Sequence, residues 1–377
     1  MAMAGKGNDS MKKIVLTGGG TAGHVSPNIA LLPFLKEEGY EVTYVGSKKG
    51  IEKELATDHG IPYVGISTGK LRRYFDLKNF SDPFRVIHGY GEARRFLRQY
   101  KPDVVFSKGG FVSVPVVRAA ASLHIPCVIH ESDMTPGLAN KLCIGSARKI
   151  CCNFPETVKT LPSDKAVLTG TPIRGELFEG DRAKGLAICG FTDDKPVLMV
   201  MGGSQGAMSV NSAVRANLTA LLERFQIIHL CGKGHFDTSL QNVEGYRQFE
   251  YVKDDLKHLF AAADLLVSRA GANAICEILA LHKPNILIPL PTGGSRGDQL
   301  LNANSFAEQG FSVVVEDDKA ADRLVELANE VYDNREQYIA AMEKSSQTDA
   351  IPVIMELLRE AVENGRAKKP GKAKAKG

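Results

Sequence analysis

Several features that would assign this chain to a familiar class are missing from its sequence. It contains no Trp, and its seven Cys include no C-x-x-C pair, so a zinc or redox site is not expected. The free thiols are expected to act as small core residues in a reducing cytosol. No signal peptide and no apolar run of about 18 residues is present, so no segment is expected to span a bilayer. No Asp-X-Asp occurs either, so a metal-bridged diphosphate is not indicated and no cofactor is expected.

The positive charge of the chain is concentrated at its C-terminal end. The formal net charge is +4, and residues 364–377 carry six basic residues and no acidic one. We predict that this stretch is a disordered basic tail, and that residues 1–10, which precede a second Met at Met11, are an expression leader. The body between them is close to neutral, which argues against nucleic acid as a partner.

A chain of 377 residues is long enough for two domains of ordinary size. Apolar runs bounded by Gly or Pro alternate with helical stretches, which is typical of parallel sheets with right-handed crossovers. We therefore predict an α/β fold with two Rossmann-like, doubly wound domains, at 11–170 and 171–349. We interpret the Gly-, Pro- and charge-rich stretch Thr169–Asp194 as the linker, and a final helix at 350–363 could pack back on the first domain.

The predicted strands and helices alternate in the same pattern in both halves of the chain. The predicted strands are Lys12–Thr17, Glu41–Gly46, Asp103–Ser107 and Pro126–His130, then Pro196–Met201, Gln226–Cys231, Asp264–Ser268 and Asn285–Pro289. The predicted helices include Pro27–Glu38, Val210–Arg224 and Ala272–Leu281. Pro33 is expected to kink or shorten the first of them.

A glycine-rich turn follows the first predicted strand of each half. Gly202–Ala207 reads GGSQGA and joins a strand to a helix, where backbone N–H groups favour a phosphate. Taken alone, it is equally well explained as a tight turn without a ligand, and it is not a G-x-x-x-x-G-K-[ST] P-loop. The first turn, Gly18–Gly23, lacks the acidic residue that a dinucleotide-binding domain places after its second strand, because Gly46–Lys49 reads GSKK.

Polar side chains follow several predicted strands, at the edge where open α/β sheets bind ligands. His24 follows the first turn and could accept a proton near neutral pH, although a loop His bonded to backbone is the simpler alternative. Asn273 and Glu277 share a helical face, where a carboxylate could accept both ribose hydroxyls or be a solvated surface group. Gly293–Ala303 places further polar groups at the next strand end. So many clusters at strand ends favour one pocket over coincidental turns.

These segments stand in an order that resembles the MurG family of bacterial peptidoglycan N-acetylglucosaminyltransferases over about Met11–Glu360. They are Gly19–His24, Gly109–Phe111, His130-Glu131, Gly202–Ala207, Arg269–Glu277 and Asp298-Gln299 with Asn302-Ala303. The resemblance implies a GT-B fold, in which two Rossmann-like domains face a central cleft and the C-terminal one holds the sugar nucleotide. It implies inverting transfer of GlcNAc from UDP-GlcNAc to the 4-hydroxyl of MurNAc in lipid I, which gives lipid II. A peripheral protein at the cytoplasmic face of the bacterial cell membrane is expected.

The same resemblance implies roles for individual positions. Ser204 and Gln205 should face the diphosphate, and Glu277 should face the ribose. Asp298 and Gln299 should contact the GlcNAc hydroxyls, and the backbone near Lys253 should meet the uracil. The other implied donor-binding residues are Thr21, Ala22, Gly23, Arg174, Asn211, Arg269, Ala272 and Asn273. The implied acceptor-side residues are Gly109, Gly110, Asp133 and Asn140, and the implied catalytic residues are His24, the leading candidate base, and Glu131.

The chain departs from the family pattern at three places. Ser132-Asp133 stands where the family usually has Gln-Asn, Thr171 stands where it usually has Asn, and Phe111 often replaces a Tyr, so no hydroxyl role is assigned there. Two rival functions remain open on sequence. One is a different enzyme on the same fold, a UDP-sugar 2-epimerase or a glycolipid synthase. The other is a non-catalytic UDP-sugar-binding regulator.

The segment from Lys70 to Lys101 is both basic and aromatic. It carries nine Lys and Arg residues against three acidic ones, with Leu, Phe and Tyr residues interleaved. Apolar groups in a basic frame suit an anionic leaflet, which is therefore an expected partner. The alternative is a solvated helical face whose aromatic residues belong to the core.

Overall fold

The computed structural model describes residues 11–69, 78–203, 206–291, 297–347 and 350–367. These residues fall into two units. Unit 1 contains the chain up to Ser132, residues Pro136–Arg174 and the chain from Ala350 onward, and unit 2 contains Asp133–Thr135 and Gly175–Asp349. The division therefore falls after Arg174 rather than after residue 170. Asp133, which the sequence assigns to the first domain, groups with unit 2.

Unit 1 is built on a seven-stranded parallel sheet with the strand order β3-β2-β1-β4-β5-β6-β7. The strands are β1 Lys12–Thr17, β2 Tyr40–Ser47, β3 Tyr63–Ile66, β4 Val104–Ser107, β5 Cys127–Glu131, β6 Lys149–Cys152 and β7 Ala166–Leu168. The central strands are continuous apolar runs because helices cover both faces of such a sheet. Successive β1 side chains point to opposite faces, so Ile14 and Leu16 join one core cluster and Val15 joins the other.

The helices of unit 1 alternate with these strands. They are α1 Ser26–Ala30, α2 Leu32–Glu37, α3 Ile51–Asp58, α4 Lys78–Tyr100, α5 Ser113–Ser122, α6 Leu138–Cys143 and α7 Pro155–Thr160. The predicted helix Pro27–Glu38 is therefore two helices that meet at Leu31. Pro33 lies in the first turn of α2, where its missing N–H leaves no intrahelical bond unmade.

Unit 2 repeats the plan with a six-stranded parallel sheet in the order β10-β9-β8-β11-β12-β13. The strands are β8 Val197–Met201, β9 Gln226–Leu230, β10 Tyr246–Phe249, β11 Leu265–Ser268, β12 Asn285–Leu287 and β13 Val313–Val314. The helices are α8 Arg182–Cys189, α9 Met208–Ala216, α10 Leu218–Arg224, α11 Leu256–Ala262, α12 Ala272–Ala280, α13 Asp298–Glu308, α14 Ala320–Asp333 and α15 Arg335–Glu343. In both sheets the order reverses beside the first strand, which is the point where open α/β sheets bind ligands.

Two sequence interpretations differ from this structure. The predicted helix Val210–Arg224 is divided into α9 and α10 at Asn217, whose side-chain amide donates to the Ala213 carbonyl at 2.9 Å. The stretch interpreted as a linker contains α8, and this helix packs so closely on α11 that a Cβ at Gly185 would lie 2.1 Å from the His258 carbonyl oxygen. That stretch therefore belongs to unit 2 from Gly175 onward.

The last helix, α16 (Ala350–Ala367), returns the chain to unit 1. Its buried residues recur every three or four positions and include Ile354, Leu358 and Ala361. They belong to the same core cluster as Ile14 and Leu16 of β1. Among the described residues, no helix is both long enough and apolar enough to cross a membrane.

Candidate active site

Two glycine turns pack against each other at the carboxyl edge of the unit 1 sheet. One follows β1 at Gly18–Gly20, and the other follows β4 at Gly109-Gly110. Gly110 has a φ of +81°, and a Cβ there would lie 2.3 Å from the carbonyl oxygen of Gly19. Only glycine permits this approach, so the predicted acceptor-side glycines fix the spacing of the two turns.

A buried carboxylate that the sequence did not single out supports the first turn. Glu52 lies in the first turn of α3 and is fully buried. It accepts hydrogen bonds from the backbone N–H of Gly20 at 3.3 Å and of Ser47 at 2.9 Å. A Cβ at Gly19 would lie 2.7 Å from the Glu52 carboxyl carbon, so the turn follows the shape of this side chain. An acidic residue in a first helical turn is usually a solvated dipole partner, so the sequence carried no signal of this role.

The predicted base lies directly after that turn. Residues Ala22–His24, which include Gly23, form one turn of 3₁₀ helix, and the half-buried His24 contacts the exposed Thr21. The Thr21 Oγ1 and His24 Nδ1 atoms are 2.8 Å apart. The structure thus brings together two of the predicted residues through a short local hydrogen bond.

The other predicted catalytic residue is held at the end of β5. Glu131 is 5% exposed, and its Oε2 accepts hydrogen bonds from the Gly137 N–H at 3.0 Å and the Asn140 Nδ2 at 2.8 Å. The Asn140 amide also donates to the His130 carbonyl oxygen at 3.0 Å. Asn140 therefore fixes the position of the Glu131 carboxylate relative to its own strand.

Asp133 contacts Asn302, a residue of the predicted donor motif, within unit 2. Asn302, which is fully buried in α13, donates to Asp133 Oδ1 at 3.3 Å and accepts from the Met134 N–H at 3.1 Å. These bonds explain why Asp133–Thr135 groups with unit 2. The family resemblance assigns Asp133 to the acceptor side, but in the structure its side chain bonds to Asn302 of unit 2, the unit that carries the donor residues.

The glycine turn of unit 2 is equally constrained in its described part. A Cβ at Gly202 would lie 2.4 Å from the Ala207 nitrogen, and a Cβ at Gly206 would lie 2.2 Å from the Cys231 carbonyl oxygen. The turn ends directly before α9, so its backbone N–H groups lie at a helix start. Ser204 and Gln205, the predicted diphosphate contacts, lie outside the described residues.

Asn211 is buried below this turn in a polar chain. Its Nδ2 donates to the Cys231 carbonyl oxygen at 2.8 Å, so its Oδ1 accepts from His229 Nε2 at 2.9 Å. The His229 Nδ1 therefore accepts from the Tyr246 hydroxyl at 2.7 Å, which sets the neutral Nε2–H tautomer. Burial, with the nearby Arg215 charge, lowers the pKa of His229 to about 3. Asn211 thus connects α9 to the end of β9.

Arg269 is surrounded by protein acceptors. It is 8% exposed, and its Nη1 donates to Asp317 Oδ1 at 2.5 Å, Ile288 O at 2.9 Å and Pro289 O at 3.2 Å. Its Nη2 donates to Ser209 Oγ at 2.6 Å, and Ser209 donates to Asp317 Oδ1 at 2.8 Å. The guanidinium therefore joins the ends of β11 and β12 to the first turn of α9. Asp317 and Ser209 were not singled out from sequence.

The remaining donor-side residues begin two further helices. Ala272 and Asn273 form the first turn of α12, Glu277 follows one turn later, and all three are half-buried. Asp298 begins α13, and the Gln299 Oε1 accepts from the Leu290 N–H at 3.0 Å. The sheet order places α12 and α13 after neighbouring strands, so these residues share the carboxyl edge of unit 2 with the glycine turn.

Two predicted nucleotide contacts lie apart from these helix starts. Lys253 is exposed between β10 and α11. Arg174 is the last residue of unit 1 before the division, and its Nε is buried with no hydrogen-bond partner in the described part of the chain. A buried N–H without an acceptor is rare in folded proteins, and a ligand is one way to satisfy it.

Comparison with known proteins identifies the family. The glycosyltransferase family 28 N-terminal domain matches residues 14–152, and the glycosyltransferase family 28 C-terminal domain matches residues 197–358. A protein of Lachnospira eligens, named UDP-N-acetylglucosamine–N-acetylmuramyl-(pentapeptide) pyrophosphoryl-undecaprenol N-acetylglucosamine transferase, is 63% identical over 351 residues, which cover 93% of this chain and 99% of that protein. The chain belongs to this transferase family.

Solved structures agree with the assignment. The crystal structure of MurG from Acinetobacter baumannii aligns with a TM-score of 0.73 and 25% identity, over 93% of this chain and 99% of that one. The predicted family and the predicted GT-B type α/β fold are confirmed. A UDP-GlcNAc 2-epimerase from Neisseria meningitidis, bound to UDP-GlcNAc, aligns with a TM-score of 0.64 at 14% identity, over 92% of this chain and 99% of that one. That likeness is one of fold alone, so the fold does not separate transferase from epimerase.

Proposed function

We propose that this chain transfers GlcNAc from UDP-GlcNAc to the 4-hydroxyl of MurNAc in lipid I, giving lipid II. The observation that carries the proposal is the 63% identity, over nearly the whole of both chains, with a relative named for this transfer. The predicted donor residues of unit 2 gather at helix starts along one sheet edge, which supports the same conclusion.

The donor binds at this edge of unit 2. The turn before α9 offers backbone N–H groups to the diphosphate, and the helix start stabilises its negative charge. Ser204 and Gln205, which lie outside the described residues, are assigned to the diphosphate on the family resemblance alone. Glu277 accepts the ribose hydroxyls, and Asp298 and Gln299 contact the GlcNAc. Asn211 and Arg269 support the edge rather than contact the donor, since their polar atoms bond to the backbone and side chains that form it.

The acceptor hydroxyl attacks the anomeric carbon in a single displacement, and UDP leaves. His24 takes the proton of the hydroxyl, and the contact of its Nδ1 with Thr21 makes Nε2 the basic nitrogen when Nδ1 carries the hydrogen. The Thr21 hydroxyl thereby orients the imidazole. Glu131, fixed by Asn140 and the Gly137 N–H, supplies a carboxyl group on the acceptor side.

One incubation separates this proposal from its rivals. The protein with UDP-GlcNAc and lipid I should produce lipid II, detected by mass spectrometry. UDP-GlcNAc alone should yield no UDP-ManNAc, whereas an epimerase would form it. Tight UDP-GlcNAc binding without transfer to any lipid acceptor would favour the regulator and would overturn the transferase proposal.

A surface of unit 1 suits the membrane that carries the acceptor. We define the α4–α6 patch by four exposed apolar residues: Phe84, Ile87, Leu138 and Leu142, which are 73%, 66%, 47% and 46% exposed. The exposed Arg95 and Arg98 continue the Phe84–Ile87 face of α4, and the patch borders an open groove of about 690 Å³. Ala93 and Leu97, on the other face, belong to the core. Apolar groups with a basic border bind at the surface of an anionic leaflet, with each cation contributing about 1 kcal/mol.

The membrane role is tested with vesicles rich in anionic phospholipid. Phe84→Ser with Ile87→Ser should reduce vesicle binding, whereas Phe178→Ser, an equally simple change at a 56% exposed Phe of unit 2, should not. Arg94→Glu with Arg95→Glu should weaken binding most at low salt. The protein is best truncated after Ala367, because α16 extends to that residue. Unchanged vesicle binding in all of these variants would mean that the α4–α6 patch is an ordinary solvated helical face with no membrane role. Arg72 and Arg73, in the same basic segment, lie outside the described residues.

A further inference from the structure

A buried lysine lies at the carboxyl end of the central strand β4. Lys108 is 1% exposed. Its ammonium donates to His130 Nδ1 at 2.8 Å, to Ser132 Oγ at 2.7 Å and to Thr171 Oγ1 at 3.2 Å. An ammonium has three N–H donors and no acceptor, so three hydrogens meet three protein acceptors. None of the roles assigned above uses this side chain.

The contact with Lys108 determines which tautomer the His130 imidazole adopts. Because the ammonium can only donate, the Nδ1 atom must accept, and the hydrogen of the neutral ring lies on Nε2. The Nε2 atom is 2.9 Å from the Gly170 carbonyl oxygen, which accepts that hydrogen. Complete burial, together with the Lys108 charge, holds the pKa of His130 well below its usual value. The imidazole is thus fixed from both sides as one tautomer.

The same ammonium closes a ring of hydrogen bonds. The Thr171 hydroxyl donates to Asn153 Oδ1 at 2.9 Å, and the Asn153 Nδ2 donates to the Ser132 carbonyl oxygen at 2.9 Å. The ring therefore ties the end of β4 to three other segments: the end of β5, Asn153 after β6, and the segment Gly170–Arg174 that follows β7. Glu131 lies between His130 and Ser132, so both of its chain neighbours contact Lys108.

We propose that Lys108 is a positioning residue for the transfer reaction, which fixes both the strand end that carries Glu131 and the segment that leads to Arg174. This inference rests on the proposed function for its kinetic consequence. Ser132 and Thr171 are two of the positions at which the chain departs from its family's pattern, and the hydroxyls of both accept from the ammonium.

The first test compares Lys108→Met with Val105→Ala. Met keeps the unbranched stem and removes all three donors, whereas Val105→Ala weakens the same strand at a fully buried apolar position without touching the ring. Lipid II formation is measured at a temperature at which circular dichroism shows both variants to be folded. Lys108→Met should lower kcat roughly 10- to 100-fold, with the KM for UDP-GlcNAc within about twofold of wild type. Val105→Ala should leave kcat within about threefold.

A second readout does not depend on turnover. Nitrogen-15 spectra of the imidazole should show His130 in wild type as the neutral Nε2–H tautomer across pH 5 to 8 (roughly the range in which an ordinary His titrates). In Lys108→Met the pKa of His130 should rise toward its usual value, because the opposing positive charge is gone. Val105→Ala, which leaves the ammonium in place, should not change this titration.

Single-acceptor variants keep the inference testable if Lys108→Met fails to fold. Ser132→Ala and Thr171→Val each remove one acceptor, and each should lower kcat in the same direction. The combination of Lys108→Met with Thr171→Val should cost much less than the product of the single losses, because both break one ring. Multiplicative losses, an unchanged His130 titration, or a kcat loss no larger than that of Val105→Ala would overturn the proposal. Absence of lipid II formation by the wild-type protein would instead refute the proposed function. The titration of His130 would then be the remaining test of the contact between Lys108 and His130.

Discussion

The replacement of Arg269 by Met tests whether this arginine shapes the donor edge or contacts the donor. In the structure its guanidinium makes four hydrogen bonds to protein atoms, on Asp317, Ile288, Pro289 and Ser209. Met fills the space of the stem but donates nothing. The Asp317 carboxylate and two backbone carbonyls would then lose their strongest donor.

The expected loss of stability follows from burial. Breaking a buried ion pair by removing one partner costs about 3–5 kcal/mol. The side chains of Arg269 and Asp317 are 10% and 20% exposed, so water can partly solvate the carboxylate that remains. We therefore expect about 3 kcal/mol, at the lower end of that range. Ser209→Ala loses one bond to each partner, and Asp317→Asn loses the charge but keeps an acceptor, so each should cost about 1–2 kcal/mol.

Urea unfolding followed by circular dichroism measures these costs, since the chain has no Trp to report by fluorescence. Calorimetric titration with UDP then separates the two roles. If Arg269 positions the first turn of α9, UDP affinity should fall in all three variants in the order of their stability losses. If the guanidinium touches the nucleotide instead, Arg269→Met alone should lose affinity. A loss of stability below about 1 kcal/mol in Arg269→Met would refute the reasoning from burial itself.

Three further predictions address single side chains. Glu277→Ala should raise the dissociation constant for UDP-GlcNAc roughly 10- to 100-fold, as expected for one charge-assisted contact, and an unchanged calorimetric affinity in a folded variant would remove Glu277 from the pocket. His24→Ala should lower kcat roughly 10²- to 10⁴-fold with donor affinity retained, and a loss below about tenfold would make His24 a structural loop residue. Burial raises the pKa of Glu92, but hydrogen bonds from Lys48 and Ser67 outweigh it and lower the value to about 2. The carboxylate therefore stabilises the fold fully above its unfolded pKa near 4.5, and this effect is lost as the pH falls toward about 2. Glu92→Gln should have a lower melting temperature than wild type at pH 7, and the difference should shrink in acid. An equal difference in melting temperature at about pH 2.5 would contradict this.

Eight of the thirteen described strands were predicted from sequence, and β3, β6, β7, β10 and β13 were not. Buried parallel strands are short apolar runs bounded by Gly or Pro, so Lys12–Thr17 was predicted to the residue and the other strand predictions differ from the structure by only a few residues at their ends. The helices were less predictable where a break depends on one residue. Asn217 is compatible with a helix by propensity, and only its packing and its bond to the Ala213 carbonyl end α9 there.

The supporting residues of the site could not be predicted from sequence. Glu52, Lys108 and Asp317 are charged residues, which are usually solvated, and no local pattern distinguishes those that are buried. Their roles depend on segments far apart in the chain: Glu52 reaches the turn after β1, and Asp317 reaches Arg269. Only the folded sheet brings these groups together.

The family resemblance assigns roles to individual residues. In the structure these residues fall into two groups, according to the atoms that their polar groups contact. Asn211, Asn140 and Arg269 each bond to backbone carbonyls and to other side chains within their own unit. A group that shapes a site in this way affects every ligand state alike, so its loss should change stability and binding together. Glu277, in the second turn of α12, and His24, in a surface turn, are half-buried, and a change in one substrate step there need not alter the fold. Measured together, stability, donor affinity and turnover should therefore divide the family's functional positions into these two groups.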